Sequence, residues 1–175
     1  MSSAKVMYRS LIARIRSAQI GIQLRNDLGE SKYQYRRKID PHYVESPQIR
    51  VFRSSVQNGT WLEADDPVEN FIDGSPDLDE ELVCVAHEFG HHFSADEDID
   101  RAYDALRKRG CYLEKGERLR IISEEESAWE KAKNILEDIG FNNWKNFDVQ
   151  RENGLGSYRA IPMCQEKEGH ERFHD

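Results

Sequence analysis

The chain has 175 residues, a mass of 20.4 kDa and a formal net charge of −8 at pH 7. This length suffices for one domain with its own hydrophobic core. The longest apolar run, residues 82–86, has five residues, whereas a membrane-spanning helix needs about 20, which excludes such a helix. Basic residues interrupt the apolar part of the N-terminal segment, which excludes a secretory signal. The three cysteines are widely spaced and odd in number, which indicates free thiols in a reducing compartment. We therefore predict a single cytoplasmic domain over residues 1–175.

The charge is unevenly distributed along the chain. Residues 1–60 carry 11 Lys and Arg against 4 Asp and Glu, a balance of +7, whereas residues 61–175 carry 14 against 29, a balance of −15. A basic segment of this kind can bind nucleic acid or an acidic protein. No helix-turn-helix, RNA-binding aromatic motif or CxxC pair accompanies it, so packing against the acidic remainder is the favoured interpretation. Nucleic-acid binding through residues 1–60 is the alternative.

The first part of the chain predicts a helix followed by strands. Apolar residues recur at helical spacing within residues 2–18, with basic residues on the opposite face. Alternating or β-branched segments predict three strands, at residues 20–24, 33–37 and 48–53. Asn58-Gly59 is typical of a tight turn, after which residues 60–64 would return as the second arm of a hairpin. A loop is expected over residues 65–77.

Two helices are predicted next. Asp77 or Asp79 would cap a helix that runs to about Phe93. A second, shorter helix spans residues 98–108 and ends before Gly110.

A third helix is predicted near the middle of the acidic part. Ser123 and Glu126 have the spacing of a capping box, so we expect the helix to begin at Ser123 and to stop before Gly140. Its apolar face comprises Ala128, Trp129, Ala132, Ile135 and Leu136. The three tryptophans are predicted core residues: Trp61, Trp129 and Trp144. A helix, then strands, then helices indicates an α+β fold.

The segment His87-Glu88-Phe89-Gly90-His91 matches the pattern His-Glu-x-x-His. Residues i and i+4 of a helix lie on one face about one turn apart, so both imidazoles can point at one metal ion. Glu88 projects about 100° around the helix and can take the proton of a metal-bound water. We therefore predict His87 and His91 as metal ligands and Glu88 as the general base. The helix is expected to be buried, and buried polar side chains are costly unless they are paired or bind a metal.

The same pattern occurs a second time, at residues 170–174. This segment lies among charged residues, contains Arg172 and has no apolar face. Because residues 166–175 are expected to form a flexible tail, we interpret the second match as coincidental.

A catalytic zinc takes three protein ligands and leaves one position open, so a third ligand is needed. A metzincin arrangement would need Gly at position 94 and His or Asp at position 97, where Ser94 and Glu97 stand. A deformylase-like cysteine ligand is disfavoured because Cys84 lies only three residues before His87. The remaining scheme takes a glutamate from the helix that carries residues 124–126.

A Glu-x-x-small pattern selects among these glutamates, because a small residue lets two helices pack closely. Ala128 is that small residue, and it favours Glu125 as the ligand. On this interpretation Glu126 caps its helix and Glu124 faces solvent. Glu124, Glu126 and Glu97 remain alternatives as third ligand.

His87-Glu-Phe-Gly-His91, followed 34 residues later by Glu125-x-x-Ala128, resembles the gluzincin metallopeptidases, and more narrowly the ImmA/IrrE-type metallopeptidases of bacteria and their mobile elements. The resemblance covers about residues 49–139. It implies a zincin-like minimal domain, in which a small mixed or antiparallel sheet packs on the HExxH helix and the Glu-bearing helix. Residues 46–140 would be this core, residues 1–45 a basic N-terminal extension, and residues 141–165 a packing segment.

The resemblance also implies an activity. The chain would be a zinc-dependent endopeptidase, with Mn²⁺ as a substitute for Zn²⁺, acting on a protein substrate such as a transcriptional regulator. Glu88 would pass the proton of the attacking water to the leaving amine. Candidate donors to the oxyanion are His92, Tyr112, Arg120 and Tyr158, and candidate carboxylates behind the ligand histidines are Asp96, Asp98 and Asp100.

Two other functions are compatible with the same motifs. One is a metal-containing regulatory or binding module that does not cleave and that binds its partner through the basic N-terminal region. The other is a phage- or toxin-type effector built on the peptidase fold.

Overall fold

The computed structural model describes residues 3–25, 33–36, 47–52, 60–62, 78–93, 98–109 and 113–162. Within these ranges the chain is α+β and mostly helical, which confirms the α+β part of the predicted fold class. The helices are α1 (Ser3–Ser17), α2 (Leu78–Gly90), α3 (Ile99–Arg109), α4 (Lys115–Asp138) and α5 (Trp144–Arg159). The strands are β1 (Gly21–Arg25), β2 (Tyr33–Arg36), β3 (Gln48–Phe52) and β4 (Thr60–Leu62), and a 3₁₀ turn, His91–Phe93, follows α2. None of these helices is long and apolar enough to cross a membrane.

The four strands form one mixed sheet in the order β2-β3-β1-β4. β1 pairs in parallel with β3 and antiparallel with β4, and β2 pairs antiparallel with β3. Alternate side chains of the two central strands are fully or almost fully buried: Ile22, Leu24, Ile49 and Val51. They form the part of the core that the sheet contributes.

The predicted hairpin between β3 and residues 60–64 is wrong. β4 is a strand, but it pairs with β1, because β3 already has β1 on one side and β2 on the other. A local turn signal specifies a chain reversal and does not specify the strand with which the returning chain pairs. Asn58 and Gly59 lie outside the described residues. Trp61 on β4 is 48% exposed and is not the core residue that we predicted.

Helix α1 confirms the helix predicted at residues 2–18, and its apolar face packs into the main core. Tyr8, Leu11 and Ile15 are fully buried in the cluster that also contains β1, β3, α2 and α4. The hydroxyl of Tyr8 donates a hydrogen bond of 2.5 Å to Glu81 Oε1, inside α2. The basic N-terminal region therefore helps to support the helix that carries the His-Glu-x-x-His motif.

Helix α4 begins earlier than predicted. It starts at Lys115, with Glu114 as N-cap, and the backbone N–H of Glu114 donates to Glu117 Oε2 at 3.0 Å in a capping box. Ser123 lies inside the helix, so its predicted capping box with Glu126 is wrong. The earlier start buries Ile121 in a second small cluster, formed with α3 and α5. Two capping signals competed, and tertiary packing favoured the upstream one.

The other helix boundaries are close to those predicted. α2 ends at Gly90 and continues as the 3₁₀ turn, so the predicted end at Phe93 includes that turn. Asp79 lies inside the first turn of α2 and is not its cap, while Asp77 and Gly110 lie outside the described residues. α4 stops before Gly140, as predicted, and Gly140 has a positive φ of 81°.

Helices α2 and α4 pack with their backbones in contact at one point. A Cβ atom built on Gly90 would collide with the backbone carbonyl of Ala128. This confirms that Ala128 stands where two helices pack closely. The contact brings the first half of α4, with its three consecutive glutamates, against the end of α2 that carries the motif histidines.

Candidate metal centre

The two motif histidines converge at the C-terminal end of α2. His87 is in the last turn of the helix, and His91 begins the 3₁₀ turn that follows. Their Nε2 atoms are 3.2 Å apart, although the rings are inclined at 69° to each other. His87 is 8% exposed. Helical spacing of i and i+4 therefore brings both nitrogens to one point, as predicted.

Glu125 of α4 brings a carboxylate to the same point. Its Oε2 atom lies 3.1 Å from His87 Nε2 and 3.7 Å from His91 Nε2. Each of the three residues offers one ligand atom, and these three atoms all lie within 4.8 Å of one another. This buried group can hold a metal ion. One divalent cation would satisfy both imidazole nitrogens and the carboxylate, a donor set that suits a three-ligand metal site.

The other candidate third ligands do not join this group. Glu126 accepts a hydrogen bond of 3.0 Å from Arg159 and is not part of the group. Glu97 lies outside the described residues, as does the second His-Glu-x-x-His match at residues 170–174. Cys84 lines the adjacent cavity without entering the group.

Tyr103 of α3 holds the second carboxylate oxygen of Glu125. Its hydroxyl donates to Glu125 Oε1 at 2.5 Å, which leaves Oε2 directed at the histidines. Burial alone would raise the pKa of Glu125, but the hydrogen bond from His87, the charges of both histidines and the Tyr103 hydroxyl lower it to about 2. Burial and the neighbouring Glu125 charge raise the pKa of Tyr103, so it remains a donor. This contact could not be predicted, because the sequences of α3 and α4 do not indicate which of their side chains meet.

Glu124 is the carboxylate behind His91. Its Oε1 atom lies 3.1 Å from His91 Nδ1, and it is only 6% exposed, so its predicted orientation towards solvent is wrong. Burial lowers the pKa of His91, but the hydrogen bond to Glu124 and the charges of Glu125, Glu88 and Glu124 outweigh it and raise that pKa above 6.5. A carboxylate that accepts from the free nitrogen of a ligand histidine fixes the tautomer and the ring orientation.

Of the aspartates that we predicted for this role, Asp98 has other charged partners. Asp98 forms ion pairs with Arg101 at 3.2 Å and Arg120 at 3.3 Å. Asp100 lines the cavity, and Asp96 lies outside the described residues. A signal for Glu124 existed in the sequence: it shares the buried stripe of α4 with Ile121 and Ala128, three or four residues away on either side.

Replacing Glu124 by Gln should change how metal binding depends on pH. Histidine must be neutral to bind a metal, so the affinity falls once the pH drops below the pKa of His91. Loss of the Glu124 charge lowers that pKa, and the bend in a plot of log affinity against pH should move to lower pH. At pH 8 the affinity itself should fall about 10-fold or more. Zinc titration against a chromophoric chelator from pH 5.5 to 8.5 measures both.

The matched control for this prediction is Glu126→Gln, which removes a charge two positions further along α4, at a side chain paired with Arg159. It should leave both the affinity and the bend unchanged. A bend at the same pH in wild type and Glu124→Gln would contradict the assigned role of Glu124.

Glu88 lies beside the donor group and is held by a backbone group. The N–H of Tyr35, on β2, donates to Glu88 Oε2 at 2.5 Å. The hydroxyl of Tyr35 also lies 2.9 Å from His92 Nδ1. One carboxylate oxygen of Glu88 is thus fixed by the sheet, while the side chain faces the cavity. No sequence pattern indicated that β2 would reach α2 in this way.

A cavity of about 510 Å³ opens on the donor group. Its walls come from β2, α2, α3, α4 and α5. The residues that matter for the chemistry are His87, Glu88, His91, Glu125, Tyr103 and Tyr158. A carboxylate, a group of three metal-donor atoms and two hydroxyl groups therefore line one cavity, an arrangement that is compatible with hydrolytic chemistry.

No family model, curated protein or solved structure matches this chain. The metallopeptidase resemblance therefore stays a prediction, carried by the motifs and by the geometry of the site.

Proposed function

We propose that the chain is a zinc-dependent metallo-endopeptidase with a zincin-like active site. The observation that carries the proposal is the convergence of His87, His91 and Glu125 beside Glu88 at a cavity of about 510 Å³. Two imidazoles and one carboxylate are a common donor set of catalytic zinc, and manganese is an acceptable substitute. The two-helix arrangement, with the third ligand on a second helix, supports a gluzincin-type site.

A bound zinc ion would polarise the scissile carbonyl and favour ionisation of the attacking water. The residues of this chain supply the remaining steps. Glu88, fixed through Oε2 by the Tyr35 N–H, accepts the proton of the water and then transfers it to the leaving amine. Glu124 and Tyr103 keep His91 and Glu125 in place, so little reorganisation is needed during the reaction.

Tyr158 of α5 is the donor best placed to stabilise the oxyanion. Among the described candidates, Tyr158 is the one that lines the cavity. Arg120 pairs with Asp98, and His92 contacts Tyr35. Tyr112 lies outside the described residues. Burial and the charge of Glu125 raise the pKa of Tyr158, so its hydroxyl stays protonated and can donate.

Cleavage should depend on the metal in a reversible way. The zinc-loaded protein, incubated with a library of peptides from a protease-digested bacterial proteome, should generate new termini that mass spectrometry detects. A zinc chelator such as 1,10-phenanthroline should abolish them, and added zinc should restore them. Cleavage that survives the chelator would contradict the proposal, and a zinc-loaded protein without any cleavage would favour the non-cleaving binding module.

A protein substrate, such as a transcriptional regulator, is proposed from the resemblance alone. A cytoplasmic location is proposed from the three widely spaced cysteines and the interrupted N-terminal segment.

A further inference from the structure

The three donor residues are held in place by different means. His91 has Glu124 at its Nδ1 atom, and Glu125 has Tyr103 at its Oε1 atom. His87 differs, since among the described residues its buried Nδ1 atom has no hydrogen-bond partner. Its ring instead stacks on the indole of Trp129, with centroids 4.0 Å apart and planes inclined at 15°.

Trp129 packs between α2 and α5. Phe147 contacts the indole edge-on, with ring centroids 5.6 Å apart. A Cβ atom on Gly154, also on α5, would lie 3.2 Å from Cζ2 and 3.4 Å from Nε1 of Trp129, so a larger residue there would crowd the indole. Trp129 is 3% exposed, and within the described part of the chain its Nε1 atom has no hydrogen-bond partner. Packing alone therefore sets the plane of the indole.

We propose that Trp129 is the positioning residue of His87, its indole face taking the place of a hydrogen-bond acceptor behind this donor. The stack holds the imidazole in the plane that directs Nε2 at His91 and Glu125. Such a stack restricts tilting of the ring without adding a negative charge. This inference rests on the proposed metal site, and it makes the aromatic face, rather than the volume, of residue 129 the property that metal binding needs.

The zinc affinities of two variants distinguish the aromatic face of residue 129 from its volume. Trp129→Leu keeps an apolar side chain without an aromatic face and should weaken zinc binding about 10-fold or more, as the loss of other groups behind metal ligands does. Trp129→Phe restores a face and should bind zinc nearly as tightly as wild type. The control is Trp144→Leu, because Trp144 packs on Phe141 and Phe147 in the same core and should leave the affinity unchanged.

A spectroscopic readout tests the stack directly. In a variant with Trp61→Phe and Trp144→Phe, Trp129 is the single tryptophan. Stoichiometric Co²⁺, a paramagnetic ion, should strongly quench its fluorescence, and excess Zn²⁺ should reverse the quenching. The absence of quenching would overturn the proposal even if Trp129→Leu does not fold.

The outcomes distinguish this inference from the metal site itself. If wild type binds zinc but folded Trp129→Leu binds it equally tightly, or if Co²⁺ binds without quenching Trp129, the positioning role is wrong and the metal site stands. If wild type binds neither zinc nor Co²⁺, both the proposed function and this inference are wrong.

Discussion

Glu88→Gln should lower kcat about 10²- to 10⁴-fold, the range that general acid–base catalysis typically supplies. Gln cannot take a proton from water, but its amide oxygen can still accept the hydrogen bond that the Tyr35 N–H donates to Glu88. The substitution should therefore leave the fold intact. Zinc affinity should also persist, because Glu88 is outside the group of three donors.

The measurement is cleavage of one peptide identified from the library, followed at saturating and subsaturating concentration with zinc-loaded protein. Glu130→Gln, which removes an exposed carboxylate from α4, is the matched control and should retain full activity. Undiminished turnover by Glu88→Gln, with zinc bound, would show that another group acts as the base.

Gly90→Ala should be the most destabilising conservative change near the site. The added Cβ would overlap the backbone carbonyl of Ala128, and a backbone atom cannot move aside as a flexible side chain can. Overpacking of this kind costs about 1–3 kcal/mol. Since α2 and α4 must separate to accommodate it, Glu125 should also move away from the histidines, and zinc affinity should fall together with stability.

Urea denaturation of the metal-free proteins measures the stability, and a zinc titration measures the affinity. Gly156→Ala is the control: Gly156 lies inside α5, and a Cβ there would meet no atom within 4 Å. That substitution should stabilise the protein by about 0.5–1 kcal/mol, the usual difference between Ala and Gly in a helix. Equal stability of Gly90→Ala and wild type would contradict the described helix contact.

Features with a short sequence period could be predicted well. The helical spacing of His87 and His91 placed both nitrogens at one point, and Ala128 correctly marked the close approach of α4 to α2. Helix α1 and the central strands also followed from their apolar periodicity. In each case the information lies within one element, where geometry follows directly from residue spacing.

Apart from the close approach at Ala128, features that depend on contacts between elements could not be predicted. The partner of β4 depends on which strand edges are free, and the start of α4 depends on burial of Ile121 against other helices. Tyr103 and Tyr35 meet the site from two further elements, and neighbouring residues in the sequence carry no sign of it. The apolar stripe of α4 could have indicated that Glu124 is buried, but not that it contacts His91. Trp129 was assigned to the core correctly, but its stacking on His87 became visible only in three dimensions.

The central claim is that His87, His91 and Glu125 form one metal site, and elemental analysis of the purified protein tests it most directly. Wild type, gently purified, should contain one zinc per chain, and both His91→Ala and Glu125→Ala should lose it. Glu126→Ala should retain it, because the carboxylate of Glu126 pairs with Arg159. A wild-type protein that holds no metal after zinc loading, or a Glu125→Ala variant that holds as much as wild type, would contradict the account.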